Sequence, residues 1–423
     1  MLKKKISLIM AVVLSLALVT AGCGKTNTST SSTSSTATKE KVNLKFYGKI
    51  IEYTSGEKMV TEMQSQLKNQ YNIESIQVDW GNLDKAIRTG IASGEPCDVY
   101  CYPSGQMTNF KDMAADLTPY LTANNGAWKN TFPEAALSSG VVDGKNLSIP
   151  FETNFPTILA NKDILDKAGV TVPETWTFEQ FNEACKKIKA IGVFPFANAT
   201  DLGRSSWTYR NAILSVTKRN GKYEDMINHK LPGTDDSWKT ALTGIKGLYD
   251  SKYMYPGDGA VTVKNDEIKA AFSQGKVAMM GEIAAGAKQT SKGFTSKTVI
   301  LPWPSVGSKG AINGSINGFF IPKNSKHIAD AVKALQTFTN EKVQAIHATD
   351  GYIPVNVNVK VTDPFVQTLV KNSSQMVGQE ENYTTLADYG ANKLMAELIL
   401  GGGVNKVQTD LEKMRQEYLK TVK

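Results

Sequence analysis

Residues 149–198 read IPFETNFPTILANKDILDKAGVTVPETWTFEQFNEACKKIKAIGVFPFAN, and they carry the clearest local structural signals in the chain. Thr177 is a predicted helix N-cap, because its hydroxyl can accept a backbone N–H and Gln180 occupies the capping-box position three residues later. Apolar residues then recur at helical spacing up to Gly192, namely Phe178, Phe181, Ile188 and Ile191. This pattern predicts a helix that packs one side into a core.

Strand and helix patterns continue on both sides of this segment. Three short strands are predicted from apolar alternation, at Val42, Leu44 and Phe46, at Ile76, Val78 and Trp80, and at Cys97, Val99 and Cys101 up to Pro103. Downstream, we predict a helix over 266–274 that ends at Gly275, followed by a strand over 277–280. Two later helices are predicted from apolar stripes, one at Ile328, Val332, Leu335 and Phe338 and the other at Leu411, Met414 and Tyr418. This alternation predicts an α/β architecture with mostly parallel sheets.

Composition excludes several classes of protein. The chain has 423 residues, 41% hydrophobic and 21% charged, which is typical of a globular protein. Its formal charge of +8 includes three lysines at residues 3–5, and so thin a surplus argues against nucleic-acid binding. Four cysteines are too few for a disulfide scaffold, and in a strand Cys97 and Cys101 lie too far apart to bridge. We expect Cys97, Cys101 and Cys185 to be buried thiols.

The N-terminus resembles that of an exported lipoprotein. A basic head precedes an apolar run over 6–19, which is too short to span a bilayer and has the length of a secretory leader. Thr20-Ala21-Gly22-Cys23 resembles the lipobox at which bacterial lipoproteins are cleaved and lipidated on cysteine. Residues 1–22 would then be a signal peptide and 23–41 a tether, of which 26–38 are almost entirely Ser and Thr. The alternative is an ordinary signal peptide with an unrelated cysteine.

Motifs for catalysis or metal binding are missing from the sequence. It contains no G-x-S-x-G, HExxH or CxxC pattern, and its three histidines are scattered. We therefore predict no catalytic residue, no metal site and no cofactor.

Aromatic residues instead recur where the predicted strands end. Tyr47 follows the first strand, Trp80 ends the second and Tyr102 ends the third. Ligands of α/β sheets collect beyond the carboxyl ends of strands. Since the apolar faces of sugar rings stack on aromatic rings, this grouping favours a carbohydrate ligand.

Four segments, in this order, resemble the extracellular solute-binding proteins of bacterial ABC importers, in their carbohydrate-binding group. Besides 149–198 they are AAFSQGKVAMMGEIAAG at 270–286, LPWPSVGSKGAINGSINGFFIPKNSKHIADAVKALQTF at 301–338 and GYIPV at 351–355. The resemblance extends over the whole mature chain.

The resemblance implies a two-lobed, type II periplasmic-binding-protein-like fold that binds its ligand between the lobes. The crossing segments would lie near 149–153, 313–321 and 352–358. Lobe one would then contain 42–149 and 320–352, and lobe two 153–313 and 358–423.

It also implies where ligand-binding residues lie. Lobe one would contribute Tyr47, Glu52, Trp80 and Tyr102, and the stretch after the first crossing Glu152 and Asn154. Lobe two would contribute Trp207 and Glu282, followed by Trp303 and Tyr383. Glu152 and Glu282 would accept hydrogen bonds from sugar hydroxyls, and the aromatic rings would stack on sugar faces.

The implied protein is a monomer that captures a sugar or oligosaccharide and delivers it to the permease subunits of an ABC importer. Its partners would be that ligand, the permease and the membrane, the last through lipid on Cys23 at the outer face of a Gram-positive-type cell. Two alternatives remain at this stage. The same fold could bind a peptide or polyamine or serve as a sensor, or the chain could be a surface glycan-degrading enzyme.

Overall fold

The computed structural model describes residues 40–48, 54–78, 80–94, 97–201, 204–306, 311–379 and 391–421. Twelve strands are present in these ranges: β1 Val42–Tyr47, β2 Tyr71–Ile76, β3 Val99–Pro103, β4 Val141–Val142, β5 Lys145–Asn146, β6 Ile149–Asn154, β7 Pro156–Asn161, β8 Phe194–Ala197, β9 Val277–Ile283, β10 Thr298–Leu301, β11 Ile312–Phe320 and β12 Met376–Gln379.

Helices connect most of these strands. In the described part of the chain they are α1 Gly56–Leu67, α2 Trp80–Ala92, α3 Thr118–Gly126, α4 Glu134–Ser138, α5 Lys162–Lys167, α6 Phe178–Ala190, α7 Ser205–Arg219, α8 Tyr223–Ile227, α9 Asp236–Asp250, α10 Asn265–Ser273, α11 Ala284–Lys292, α12 Ile328–Phe338, α13 Glu341–Thr349, α14 Pro364–Ser373, α15 Ala391–Leu400 and α16 Gly403–Thr421. None of these is both long and apolar enough to cross a membrane.

Two mixed sheets form the framework. The larger has the order β12-β11-β3-β1-β2, with β6 also paired to β11, and the smaller has the order β10-β7-β9-β8. β1 runs parallel to β2 and β3, whereas β11 runs antiparallel to both β3 and β6. In the smaller sheet, β7 is antiparallel to both neighbours. The prediction of mostly parallel sheets is therefore wrong, because residue periodicity carries no information on the direction of a neighbouring strand.

Predictions of local structure, such as helix ends, agree with the structure more often than the prediction of strand direction. The Thr177–Gln180 capping box is present at the start of α6, and Gly275 follows α10 with φ +69°. The second predicted strand is wrong beyond Ile76, because β2 spans Tyr71–Ile76, Val78 lies after it and Trp80 begins α2. Leu83 and Ile87 of α2 are buried, so the apolar spacing after Trp80 is helical and not alternating.

Buried apolar residues form separate clusters. The largest draws mostly on residues between Phe155 and Ile312, and a second combines residues of 44–151 with residues of 319–355. Cys101 and Cys185 are buried as predicted, whereas Cys97 is half-buried. The limits of the two lobes stay a prediction.

Candidate functional site

Strands β6 and β11 carry polar side chains on one shared face. They pair antiparallel with Ser315 opposite Asn154 and Asn317 opposite Glu152. Because side chains alternate along a strand, these four residues and Asn313 face the same side. We call these five residues the polar face.

The reverse side of the same two strands is apolar. Thr153 and Ile316 point away from the polar face and line a cavity of about 570 Å³. Gly314 belongs to this side too, since a Cβ on it would lie 2.6 Å from the Met376 methyl group, and Met376 also lines the cavity. The two strands thus separate a polar region from an apolar one.

Glu152 is the only carboxylate of the polar face. It is 1% exposed, and its Oε2 accepts a hydrogen bond from Asn317 Nδ2 over 2.8 Å. A buried carboxylate needs hydrogen-bond donors, because burial without them costs several kcal/mol, about 4 or more. Asn317 therefore both stabilises and orients Glu152.

Asn154 ties the polar face to the smaller sheet. Its Oδ1 accepts the backbone N–H of Phe155 over 3.0 Å and that of Ala285 over 3.2 Å. Ala285 lies in the first turn of α11, directly after β9. The amide of Asn154 therefore fixes the start of α11 against the end of β6.

Asn313 is the most deeply buried member of the polar face, at 0% exposure. Its backbone N–H donates to Asn211 Oδ1 on α7 over 2.8 Å. In the described structure neither its Oδ1 nor its Nδ2 has a hydrogen-bond partner. Buried polar atoms without a partner are rare in native proteins and need an explanation.

A buried ion pair lies at the end of β9, close to α11. Glu282 is 1% exposed, and Arg204 Nη2 lies 2.6 Å from its Oε1. Thr290 donates to Glu282 Oε2 over 2.8 Å, and Arg204 Nη1 donates to Asn265 Oδ1 over 3.0 Å. Protein groups thus hold Glu282 on both carboxylate oxygens.

Two tryptophans pack beside this ion pair. Trp207 and Trp303 are 7% and 2% exposed, and their rings meet edge to face at 6.3 Å. Trp303 also contacts the edge of Phe196 at 5.8 Å, and the Arg204 guanidinium lies 5.4 Å from the Trp207 ring. Both rings belong to the largest apolar cluster.

Two tyrosines lie at the carboxyl ends of parallel strands, as the sequence predicts. Tyr47 ends β1, is half-buried and meets Tyr100 edge to face at 5.5 Å. Tyr102, near the end of β3, is 6% exposed and donates to Asp84 Oδ1 over 3.3 Å. Burial raises the pKa of the Tyr102 hydroxyl, so Tyr102 acts as a neutral donor.

Comparison with known proteins identifies the family. A family model described as bacterial extracellular solute-binding protein matches residues 48–345, which is most of the chain. The chain belongs to this family. The resemblance seen in the sequence is therefore confirmed.

Relatives and solved structures of this solute-binding protein agree with that placement. The sn-glycerol-3-phosphate-binding periplasmic protein UgpB of Rhizobium meliloti (strain 1021) is 24% identical over 323 residues, 71% of this chain and 72% of UgpB. The ABC substrate-binding protein Lmo0181 from Listeria monocytogenes, solved in complex with cycloalternan, aligns with a TM-score of 0.70 at 19% identity, covering 90% of this chain and 99% of Lmo0181.

The GacH receptor of Streptomyces glaucescens, solved unliganded and with acarbose, aligns with a TM-score of 0.71 at 16% identity, covering 90% of this chain and 99% of GacH. These likenesses confirm the two-lobed periplasmic-binding-protein-like fold.

The structure sorts the predicted site residues of this solute-binding protein into groups. Glu152 and Asn154 lie together on the polar face, whereas Glu282 and Trp207 lie beside Arg204 and Trp303 packs against Trp207. Asn154 connects the two groups through Ala285. Glu52 and Tyr383, like Cys23, lie outside the described residues, and of Trp80 only its place at the start of α2 is described.

Sequence reasoning missed Asn313, Ser315 and Asn317. Their signal is present in INGSIN at 312–317, where polar residues occupy alternate positions of an otherwise apolar strand. In a strand buried on both faces, such a polar row points to a binding surface, because buried polar groups need partners. Among the described residues, no three His, Cys, Asp or Glu side chains are placed to hold a metal ion.

Proposed function

We propose that this solute-binding protein captures a sugar or oligosaccharide between its two lobes and delivers it to the permease subunits of an ABC importer. The polar face is the observation that carries the proposal. One carboxylate and three amides offer acceptors and donors for hydroxyl groups, and they lie on the strands that the family resemblance assigns to the first two crossings.

The charge of the polar face favours a neutral ligand over an anion. Its one charged group is Glu152, which only accepts hydrogen bonds when ionised. Arg204 is neutralised by Glu282 over 2.6 Å and is not available as an unpaired cation. A phosphorylated solute such as the one named for UgpB would bring its negative charge close to the buried Glu152 carboxylate, whereas sugar hydroxyls would donate to that carboxylate.

Comparisons support the same ligand class. Lmo0181 and GacH, which share the fold over about nine-tenths of this chain, were solved with cycloalternan and with acarbose. Aromatic rings at the strand ends, Tyr47 and Tyr102, and Trp207 beside the ion pair would supply apolar surface for sugar rings. Binding without turnover is part of the proposal, and no new reducing ends should form when the protein is incubated with oligosaccharides.

Cys23 would hold the protein at the outer face of the cell membrane. Cleavage before Cys23 and lipidation of its thiol would leave 26–38 as a Ser/Thr-rich leash between the membrane and the folded chain. Two acyl chains give durable anchoring, since each buried methylene contributes about 0.8 kcal/mol. The protein would be a monomer, and its two lobes would open and close while this segment tethers it to the membrane.

A thermal-shift screen tests the ligand class. The mature chain is heated with mono- and oligosaccharides, sn-glycerol 3-phosphate, polyamines and short peptides in parallel. A sugar present at 100 times its Kd should add about 2.7 kcal/mol to the free energy of unfolding. A shift with the phosphate, an amine or a peptide, and with no sugar, would overturn the carbohydrate assignment.

A further inference from the structure

The side-chain amide of Asn313 is buried and makes no hydrogen bond within the described structure. Its side chain is 0% exposed, and neither Oδ1 nor Nδ2 has a hydrogen-bond partner. A buried donor or acceptor that is left without a hydrogen bond lowers the stability of the folded state by about 1–3 kcal/mol for each group. An apolar side chain of similar volume would avoid that cost, so stability does not explain an asparagine here.

The surroundings of Asn313 are built to hold it in place. Asn211 on α7 accepts the backbone N–H of Asn313 over 2.8 Å, and Asn211 Nδ2 donates in turn to the carbonyl of Trp207 over 2.9 Å. Asn211 is itself 0% exposed and makes a hydrogen bond with each end of its amide. Two neighbouring buried asparagines therefore differ in one respect, since the Asn211 amide is satisfied by the protein and the Asn313 amide is not.

The position of Asn313 relates this open amide to the ligand. Alternation along β11 puts it on the same face as Ser315 and Asn317, and Asn317 contacts Glu152. Asn313 is thus the end of the polar row farthest from Glu152, on the side of α7. A ligand that lies along the polar face would reach both Asn313 and Glu152.

We propose that Asn313 is a ligand-contacting residue whose amide reads two neighbouring hydroxyl groups of the sugar, one as a donor and the other as an acceptor. This inference rests on the proposed function. An amide is neutral and presents N–H and C=O side by side, while each hydroxyl can donate and accept, so one amide can serve two hydroxyls on adjacent carbons. Asn313 is wholly covered in this structure, so its amide becomes accessible to a sugar when the groups that cover it move apart.

The test compares Asn313→Leu with the natural chain. Calorimetry is run with raffinose and the maltose series up to maltoheptaose, and the tightest binder is then used for both proteins. The variant should bind that sugar at least about tenfold more weakly, because two hydrogen bonds are lost. Its Tm without ligand should be unchanged or higher, because an unpaired buried amide has been removed.

A matched control is available in Asn372 of α14. It is 2% exposed, its Nδ2 also has no partner in the described structure, and it lies off the polar face. Asn372→Leu should leave the affinity for the sugar as in the natural chain. If Asn313→Leu also binds as the natural chain does, a buried water or a packing role explains the asparagine, and the inference is overturned while the proposed function stands.

Two further outcomes are distinguishable. If the natural chain binds no sugar but binds sn-glycerol 3-phosphate, a polyamine or a peptide, the carbohydrate assignment falls and the inference falls with it. If Asn313→Leu does not fold, a crystal structure of the natural chain with the same sugar decides. An Asn313 amide atom within hydrogen-bonding distance of a ligand hydroxyl supports the inference, and a complex without that contact overturns it.

Discussion

Glu152 and Asn317 lie directly opposite each other on the antiparallel strands β6 and β11, and Asn317 Nδ2 donates a 2.8 Å hydrogen bond to Glu152 Oε2. Both side chains are buried, and the apolar cavity lies on the reverse side of the same strands. The pair therefore presents an oriented carboxylate on the polar face.

Replacing Glu152 by glutamine should weaken sugar binding. Glutamine keeps the shape and can still accept from Asn317, but it loses the charge that makes a hydrogen bond to a carboxylate about twice as strong as a neutral one. We expect Kd to rise at least about tenfold in calorimetry. Thr153→Val, on the opposite face, is the control and should bind normally. Equal affinities for Glu152→Gln and the natural chain would remove Glu152 from the site.

Trp303→Ala should destabilise the protein in the absence of ligand. The family resemblance implies that Trp303 stacks on a sugar ring, but the ring is 2% exposed and packs against Phe196 and Trp207. Truncating a buried tryptophan costs about 3–5 kcal/mol, so Tm should fall clearly in thermal unfolding. Leu400→Ala, at a side chain 65% exposed, should change Tm little. An unchanged Tm for Trp303→Ala would contradict the packing of Trp303 against Phe196 and Trp207.

His347 should make stability depend on pH on the acid side. It is 1% exposed, lies 2.7 Å through Nδ1 from Ser55 Oγ, and stacks on Tyr352 with ring centroids 4.6 Å apart. Burial lowers the pKa of His347 from 6.5 to about 3, against a smaller opposite effect of Asp350. Between these two pH values the unfolded chain binds one more proton than the folded chain, so stability falls as the pH falls.

The expected loss from His347 is about 1.4 kcal/mol per pH unit inside that window. Denaturant unfolding at pH 7, 6, 5 and 4 measures it, with His347→Gln expected to flatten the slope. Leu400→Ala, at a side chain 65% exposed, is the control variant and should keep the natural slope. A His347→Gln variant as pH-sensitive as the natural chain would show that other groups cause the acid loss.

Cys23→Ala should release the protein from the cell. Without the thiol no lipid is attached, and the apolar run over 6–19 is too short to anchor the chain by spanning the bilayer. Fractionation of cells that express each form should find the natural chain with the membrane and the variant in the medium. Cys185→Ala, at a buried thiol, is the control. A variant that stays with the membrane would contradict lipid anchoring at Cys23.

The parts of the fold that sequence predicted are those set by neighbours along the chain. Thr177 and Gln180 form their capping box within one turn, and Gly275 follows α10 because a left-handed residue is needed there. Strand direction depends on distant partners. β11 pairs antiparallel with β3 and β6, which lie about 150 or more residues earlier in the chain, and no local pattern encodes that pairing.

The candidate site divides in the same way. Tyr47 and Tyr102 were found because strand ends can be read from alternation, and Glu152 because it follows the start of a recognisable segment. Whether an aromatic ring faces a ligand or a core is decided by residues far away in sequence, as Phe196 and Trp207 decide it for Trp303. Asn313 could not be singled out from the sequence, because what distinguishes it is a buried side-chain amide without a hydrogen-bond partner in the described structure. Burial and hydrogen bonding of a side chain depend on the three-dimensional structure.

Calorimetric titration of the mature, unlipidated chain with neutral oligosaccharides is the decisive experiment for sugar binding. We expect saturable one-to-one binding of at least one oligosaccharide, with no new reducing ends after prolonged incubation. Binding should be weakened by Glu152→Gln and unaffected by Thr153→Val. Saturable binding of sn-glycerol 3-phosphate, a polyamine or a peptide, together with no heat from any sugar, would contradict sugar binding.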